Sequence, residues 1–188
     1  CYGQPRAFAS DHSRFRYFRK GDRCLDYAIF DDTRSEVTFL CGLPGAGKDT
    51  WIRANRPGLP VISLDALREE LGIDVRGNQH IVARAARERA KRYLRAHEPF
   101  VWNATNLTRQ IRAPLIEQFY DYGARTQVVY LHTSLPRTVT QNRLREAVVP
   151  EPVIHRMMEK LEVPDLTEAH GLTIVEGSAT TWSEPHAA

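Results

Sequence analysis

Cysteine is scarce in this chain, three in 188 residues, and no two of them form a C-x-x-C pair. Cys1, Cys24 and Cys41 are an odd number without ligand spacing, so neither a disulfide framework nor a zinc site is indicated. A reducing, cytoplasmic setting is the expectation. Long apolar runs are missing as well. None approaches membrane-spanning length, and the N-terminus lacks the continuous apolar stretch of a signal peptide, so no membrane partner is expected. Internal repeats and low-complexity tracts are absent, which excludes a repeat array. A large net charge is also lacking, at +3, although the cations are mostly arginine, whose planar fork suits phosphates. The chain begins at Cys rather than Met, and excision from a longer polypeptide is the expectation, with processing as the alternative.

What is present is organised around Val37 to Trp51, VTFLCGLPGAGKDTW. The apolar and β-branched run from Val37 to Cys41 leads straight into Gly42, Leu43, Pro44, Gly45, Ala46, Gly47 and Lys48, followed by helical composition. This is the strand, glycine-rich loop and helix of a P-loop. Its glycines let backbone N–H groups converge on phosphate oxygens, the helix N-terminus adds partial positive charge, and Lys48 reaches the β- and γ-phosphates. Asp49 stands where Ser or Thr usually holds Mg²⁺, with Thr50 after it. A carboxylate can hold that ion directly or through water, so Asp49 is the metal candidate.

The length admits one domain plus appendages. Residues 1–36 interleave Arg14, Arg16, Arg19 and Arg23 with Phe15, Tyr17, Phe18 and Tyr27 around a Lys20-Gly21-Asp22 turn, and are expected to form a small hairpin, an arm or an interdomain linker. Residues 37–177 form the main domain, and 178–188 are expected to be disordered, with Trp182 incidental.

Within the domain, Pro60 to Leu64 reads as a short buried strand that delivers Asp65 and Arg68 to the sheet's carboxyl edge, where open α/β sheets bind ligands. Asp65 is either a helix N-cap or a general base for an attacking hydroxyl, and Arg68 can bind an anionic acceptor group. Gln79 to His97 is strongly helical. Val82, Ala86, Ala90 and Leu94 form its apolar stripe, and Arg84, Glu88, Lys91 and Arg95 form a charged face read as mainly solvated. Pro99 to Trp102 begins another strand, which ends in the polar residues Asn103, Thr105 and Asn106. Thr108 fits the N-cap of a helix burying Ile111, Leu115, Phe119 and Tyr122 and closed by Gly123, with a kink or a start at Pro114. Thr126 to His132 is a fourth strand. Leu135 to Glu146, carrying Arg137, Arg143 and Arg145, meets a helix from Pro150 to Leu161 at a Pro-punctuated corner that suits a mobile lid. A last strand spans Leu172 to Val175. Strands alternating with helices predict an α/β domain, a parallel sheet flanked by helices.

In order and spacing, these motifs resemble the P-loop kinase family of 5′-hydroxyl polynucleotide kinases of phage and bacterial end healing. The resemblance runs from about Val37 to Leu161 and rests on the P-loop, Asp65-x-x-Arg68, Gly77-Asn78, Thr105-Asn106-Leu107 and the segment from Asn142 to Pro150. It implies a P-loop kinase with an arginine-bearing helical lid. Asp65 would activate a 5′-hydroxyl and Arg68 would contact the phosphate on the acceptor's 3′ side. Arg145 would be the lid arginine, with Arg143 as the fallback in the nucleotide site. Asn103, Thr105, Asn106 and Arg109 complete the acceptor candidates. ATP or GTP is the implied donor, Mg²⁺ the cofactor and a 5′-hydroxyl RNA or DNA end the partner, with fusion to an upstream HD-type phosphohydrolase or other end-healing domain. The sequence departs from relatives at Ala104, where an Asp is common, which leaves that carboxylate's role to Asn103. Two rival readings are a P-loop kinase of a small-molecule acceptor and a nucleotide-binding regulatory module without transfer activity.

Overall fold

Ser35–Cys41 (β1) is the strand on which the sheet is built, and it is buried from Val37 onward. Burial on both faces is what its unbroken apolar run requires of a central parallel strand. The computed structural model describes residues 7–22, 27–74, 77–145, 147–176 and 180–182. Around β1 lie Val61–Ser63 (β2), Phe100–Asn103 (β3), Ala124–His132 (β4), Gly171–Glu176 (β5) and Thr180–Trp182 (β6), in the order β2-β3-β1-β4-β5-β6. The first five are parallel and β6 is antiparallel to β5. Ser63 pairs with Asn103, and Asn103 pairs with Leu40. That register brings the residues following three strands to one edge of the sheet, where an open α/β sheet binds its ligands.

Helix Lys48–Asn55 (α2) covers one face through Ala46, Ile52, Leu40, Val101, Val129 and Leu131. On the other face, Gln79–Ala96 (α4) and Arg109–Asp121 (α5) bury Val82, Ala86, Ala90, Leu94, Leu115, Ile116 and Phe119 against Phe39, Phe100 and Trp102. The remaining helices are Asp11–Lys20 (α1), Leu64–Glu70 (α3), Leu135–Arg143 (α6) and Glu151–Glu159 (α7). The arrangement is the expected α/β architecture.

Four local expectations are corrected. Residues 11–20 are a helix rather than a hairpin, packed on the domain: Ser10 caps its start, Gly21 closes it in the left-handed region, and Phe15 is fully buried in the main core. Ile111 is half-exposed, and the buried position one residue later holds Arg112. Helix α6 ends at Arg143, short of Glu146, which lies outside the described residues. Thr180–Trp182 forms a strand where a disordered tail was expected. Of the other residues singled out in the sequence, Cys1, Arg23, Cys24, Gly177 and the rest of the tail lie outside the described residues.

Candidate active site

The loop from Gly42 to Gly47 is held open by its backbone and clamped from two sides. Gly42 and Gly45 adopt φ of 146° and 82°, conformations that side chains strain to reach. Space is closed to them as well: a Cβ on Gly42 would meet the Leu131 carbonyl at 2.9 Å, and one on Gly45 would meet the Thr138 carbonyl at 3.0 Å. The loop is thus wedged between β4 and α6. The Gly42 N–H donates to the Thr105 carbonyl at 3.0 Å, which ties in the segment after β3. Leu43, Pro44 and Ala46 are buried, so the loop shows its backbone rather than its side chains.

Lys48 opens α2, and its Nζ donates to the carbonyls of Gly42 at 3.0 Å and Leu43 at 2.9 Å. Burial pulls its pKa down to about 8, with the Arg145 charge adding to the fall and Asp49 and Asp65 opposing it. All four groups therefore share one electrostatic neighbourhood.

The cap of α3 is Ser63, whose hydroxyl accepts from the Ala66 N–H at 3.4 Å, so Asp65 is not the N-cap. Its carboxylate is left for other partners. Oδ1 accepts from Arg68 one turn along, and Oδ2 accepts from Arg145 Nη2 at 3.4 Å, across 80 residues of sequence. Burial pushes the Asp65 carboxyl up, but the Arg68 hydrogen bond and the charges of Arg68, Arg145 and Lys48 outweigh it and hold the group below its ordinary range. Arg68 is itself oriented by Gln79 Oε1, 2.7 Å from its Nε. The structure thus brings Lys48, Asp65, Arg68 and Arg145 together. Arg143 lies apart from them: it is 70% exposed and pairs with Glu151 on α7.

Among the other candidates, Asn103 is buried and its Nδ2 donates to Asp49 Oδ1 at 2.7 Å. It meets the metal candidate directly, and no acceptor contact is needed to explain its place. Asn106 sits in the left-handed region with its amide donating to the Leu40 carbonyl at 2.6 Å, a bond that pins the β3–α5 loop to β1 and buries the side chain away from any ligand. Arg109 is committed to Asp165 and Thr167. Thr50 is exposed beside Asp49, and its hydroxyl accepts from Arg53 at 3.3 Å.

Two buried side chains support the site, and of these the sequence singled out only Asn142, as the start of the lid segment. Arg112, fully buried, makes a two-pronged pair with Glu168, both bonds at 2.8 Å, and also donates to the carbonyls of Asn106, Leu107 and Glu162. It braces the loop that bonds the P-loop. Asn142 is likewise buried and holds both backbone groups of Val149, fixing the ends of the segment that carries Arg145. The buried-to-exposed alternation around Arg112 resembles that of any surface arginine on a helix, so only the distant partner reveals it.

The residues present suit a magnesium ion beside the loop. Asp49 is exposed in the first turn of α2, and Asn103 takes one of its oxygens. The second oxygen has no hydrogen-bond partner among the described residues, and a hard carboxylate donor is what Mg²⁺ prefers.

Residues 37–164 match the protein family described as an AAA domain. Solved structures share the fold. A gluconokinase from Sinorhizobium meliloti 1021 superposes with a TM-score of 0.52 at 19% identity, over 79% of this chain and 86% of that one. A sugar kinase from Janibacter sp. HTCC2649 gives 0.57 at 17%, over 78% and 87%. A chain of the PezAT chromosomal toxin-antitoxin system of Streptococcus pneumoniae gives 0.59 at 12%, over 91% and 77%.

Proposed function

Since this chain belongs to the AAA-domain family and has a P-loop kinase fold, we propose that it transfers the γ-phosphate of ATP or GTP to the 5′-hydroxyl end of an RNA or DNA strand. The observation that carries this reading is the Asp65 carboxylate, held between Arg68 and Arg145 beside Lys48. A hydroxyl acceptor needs an ionised base, and the surrounding cations keep Asp65 ionised at neutral pH. The 5′-oxygen attacks the γ-phosphorus while the bond to the β–γ bridging oxygen breaks, and Asp65 takes the hydroxyl proton. Lys48 and Arg145 neutralise the charge that spreads over the phosphoryl oxygens, and the loop N–H groups orient the triphosphate. Arg68 meets the phosphate on the acceptor's 3′ side, a contact that a single uncharged sugar does not offer. Asp49, oriented by Asn103, would hold Mg²⁺, which would supply positive charge against the negative charge of the triphosphate.

Two structural relatives are a gluconokinase and a sugar kinase, which supports a second reading with a small hydroxyl acceptor. One experiment separates them: γ-labelled triphosphate and Mg²⁺ offered to 5′-hydroxyl RNA and DNA oligonucleotides, their 5′-phosphorylated counterparts, gluconate and common sugars. Label confined to 5′-hydroxyl ends is the expected result. Label on a sugar or sugar acid instead supports the second reading, and label on no acceptor leaves a nucleotide-binding module.

A further inference from the structure

The charged face of α4 has a shape that a merely solvated surface does not require. His80, Arg84, Arg87 and Lys91 recur at steps of four, three and four, which places them in one row along the helix. With Glu88 and with Gln118 of α5, they line a cleft of about 350 Å³ between the two helices. Among the described residues Lys91 pairs with Glu88 at 2.7 Å, and the Arg84 charge also helps hold the Glu88 carboxyl low. Arg84 and Arg87 are exposed and make no ion pair among the described residues. On the opposite wall, the Gln118 Nε2 is buried without a hydrogen-bond partner among the described residues. A buried donor left unpaired is costly and asks for an acceptor.

The row also starts in the right place. His80 follows Gln79, the residue that orients Arg68. From His80 to Lys91 the helix rises by roughly 16 Å, a length over which a nucleic acid backbone presents a few phosphates. We infer that the α4–α5 cleft is the track for the phosphates of the acceptor strand beyond the one at Arg68, with Arg84 and Arg87 as its charged contacts and the Gln118 amide as a donor. This rests on the reading of the acceptor as a polynucleotide. Arginine suits it because its fork bonds two phosphate oxygens at once, and sequence plays no part because the cleft offers only backbone contacts.

The test is acceptor length. Wild-type protein, the double variant Arg84→Gln/Arg87→Gln and the control Arg84→Lys/Arg87→Lys are given 5′-hydroxyl oligonucleotides of increasing length, beginning with a 3′-phosphorylated mononucleotide, at several salt concentrations. For the wild type, KM falls as the strand lengthens. In the glutamine variant KM for long strands rises at least tenfold toward the mononucleotide value while kcat and the mononucleotide KM stay unchanged, and the lysine variant keeps most of the length advantage. The salt dependence of log KM for long strands becomes shallower by roughly 1.4, since each single-strand phosphate contact contributes about 0.7. A wild-type enzyme that phosphorylates all lengths with one KM, or a glutamine variant that keeps the length advantage, overturns the track and leaves the kinase reading standing. Absence of label on any oligonucleotide removes the kinase reading, and the track with it. A cleft that binds a polyglutamate peptide in an arginine-dependent way but no oligonucleotide assigns it to an acidic protein segment and overturns the inference.

Discussion

Asp49 departs from the P-loop motif, and in the proposed reading that departure is a metal ligand. A Ser or Thr at this position presents a neutral hydroxyl, whereas Asp49 brings a full negative charge close to the loop that must receive a triphosphate. That charge is tolerable if it is oriented and shared with a cation. Asn103 supplies the orientation through a 2.7 Å bond to one oxygen, and the free oxygen faces the task of metal binding. Asp49→Ala is therefore expected to lower Mg²⁺-dependent transfer by about a hundredfold or more, the usual cost of losing a preorganised charge contact, while metal-free nucleotide affinity changes far less. Asn103→Ala, which frees the carboxylate without removing it, should raise the Mg²⁺ concentration at half-activity with a smaller fall in kcat. Equal losses of transfer and metal-free binding in Asp49→Ala would make the residue a support of the loop rather than a ligand. Magnesium titrations of activity beside calorimetric nucleotide binding in EDTA distinguish the two.

At the scale of elements, the site depends on contacts between segments far apart in the chain. The P-loop strand, the Val82-Ala86-Ala90-Leu94 stripe and the Thr108 cap were legible because each is a local pattern: a run, a period or a capping residue beside its helix. The placement of Asp65 and Arg68 just past a strand end was legible because a strand end with a one-turn spacing is local too. The Arg112–Glu168 pair was not, since its partners lie 56 residues apart and neither sits in a telling local context. Helix α1 was misread because alternating aromatics and arginines around a Gly imitate a hairpin; Ser10 and Gly21, its two caps, were the signals that favoured a helix. The Arg112 node carries a test of its own. Removing one member of a buried ion pair costs about 3–5 kcal/mol, and Arg112 also satisfies three carbonyls. Arg112→Met should lower Tm by roughly 10 °C, at the 2–4 °C per kcal/mol of a chain this size. The double variant Arg112→Met/Glu168→Leu should recover only part of the loss, because the carbonyls stay unpaired. Full recovery in thermal melts would mean that the charge pair alone matters there.

For the whole molecule, acid is the informative stress. His170 is buried against Phe15 and accepts a bond from the Thr126 N–H at 3.2 Å, with His12 Nδ1 3.3 Å from its Nε2. Burial and the nearby Arg125 pull the His170 pKa down to about 3, against 6.5 for the free side chain, and burial lowers His12 as well. Between those values the unfolded chain binds a proton that the folded chain refuses, so stability is complete above pH 6.5 and declines as pH falls toward 3. The loss should be about 2 kcal/mol by pH 5 for one such histidine, and urea unfolding at pH 7.5 and pH 5 measures it. The carboxylates held low, Asp31, Asp65, Asp165, Glu70 and Glu88 among the described residues, lose their contribution mainly at more acid pH. His170→Gln should be less stable than the parent at neutral pH and flatter across this interval.

Asp65 is the residue on which the proposed transfer depends most directly. One paired measurement tests it: transfer to a 5′-hydroxyl oligonucleotide and nucleotide affinity, in wild type and in Asp65→Asn, which keeps the shape of the side chain and one of its two acceptor oxygens but neither its charge nor its basicity. The expected result is a fall in kcat of about a hundredfold to ten-thousandfold, the range of a lost general base, with nucleotide affinity within about threefold of the parent, since the interaction is needed in the transition state rather than for binding. Turnover like the parent's in Asp65→Asn would contradict the assignment.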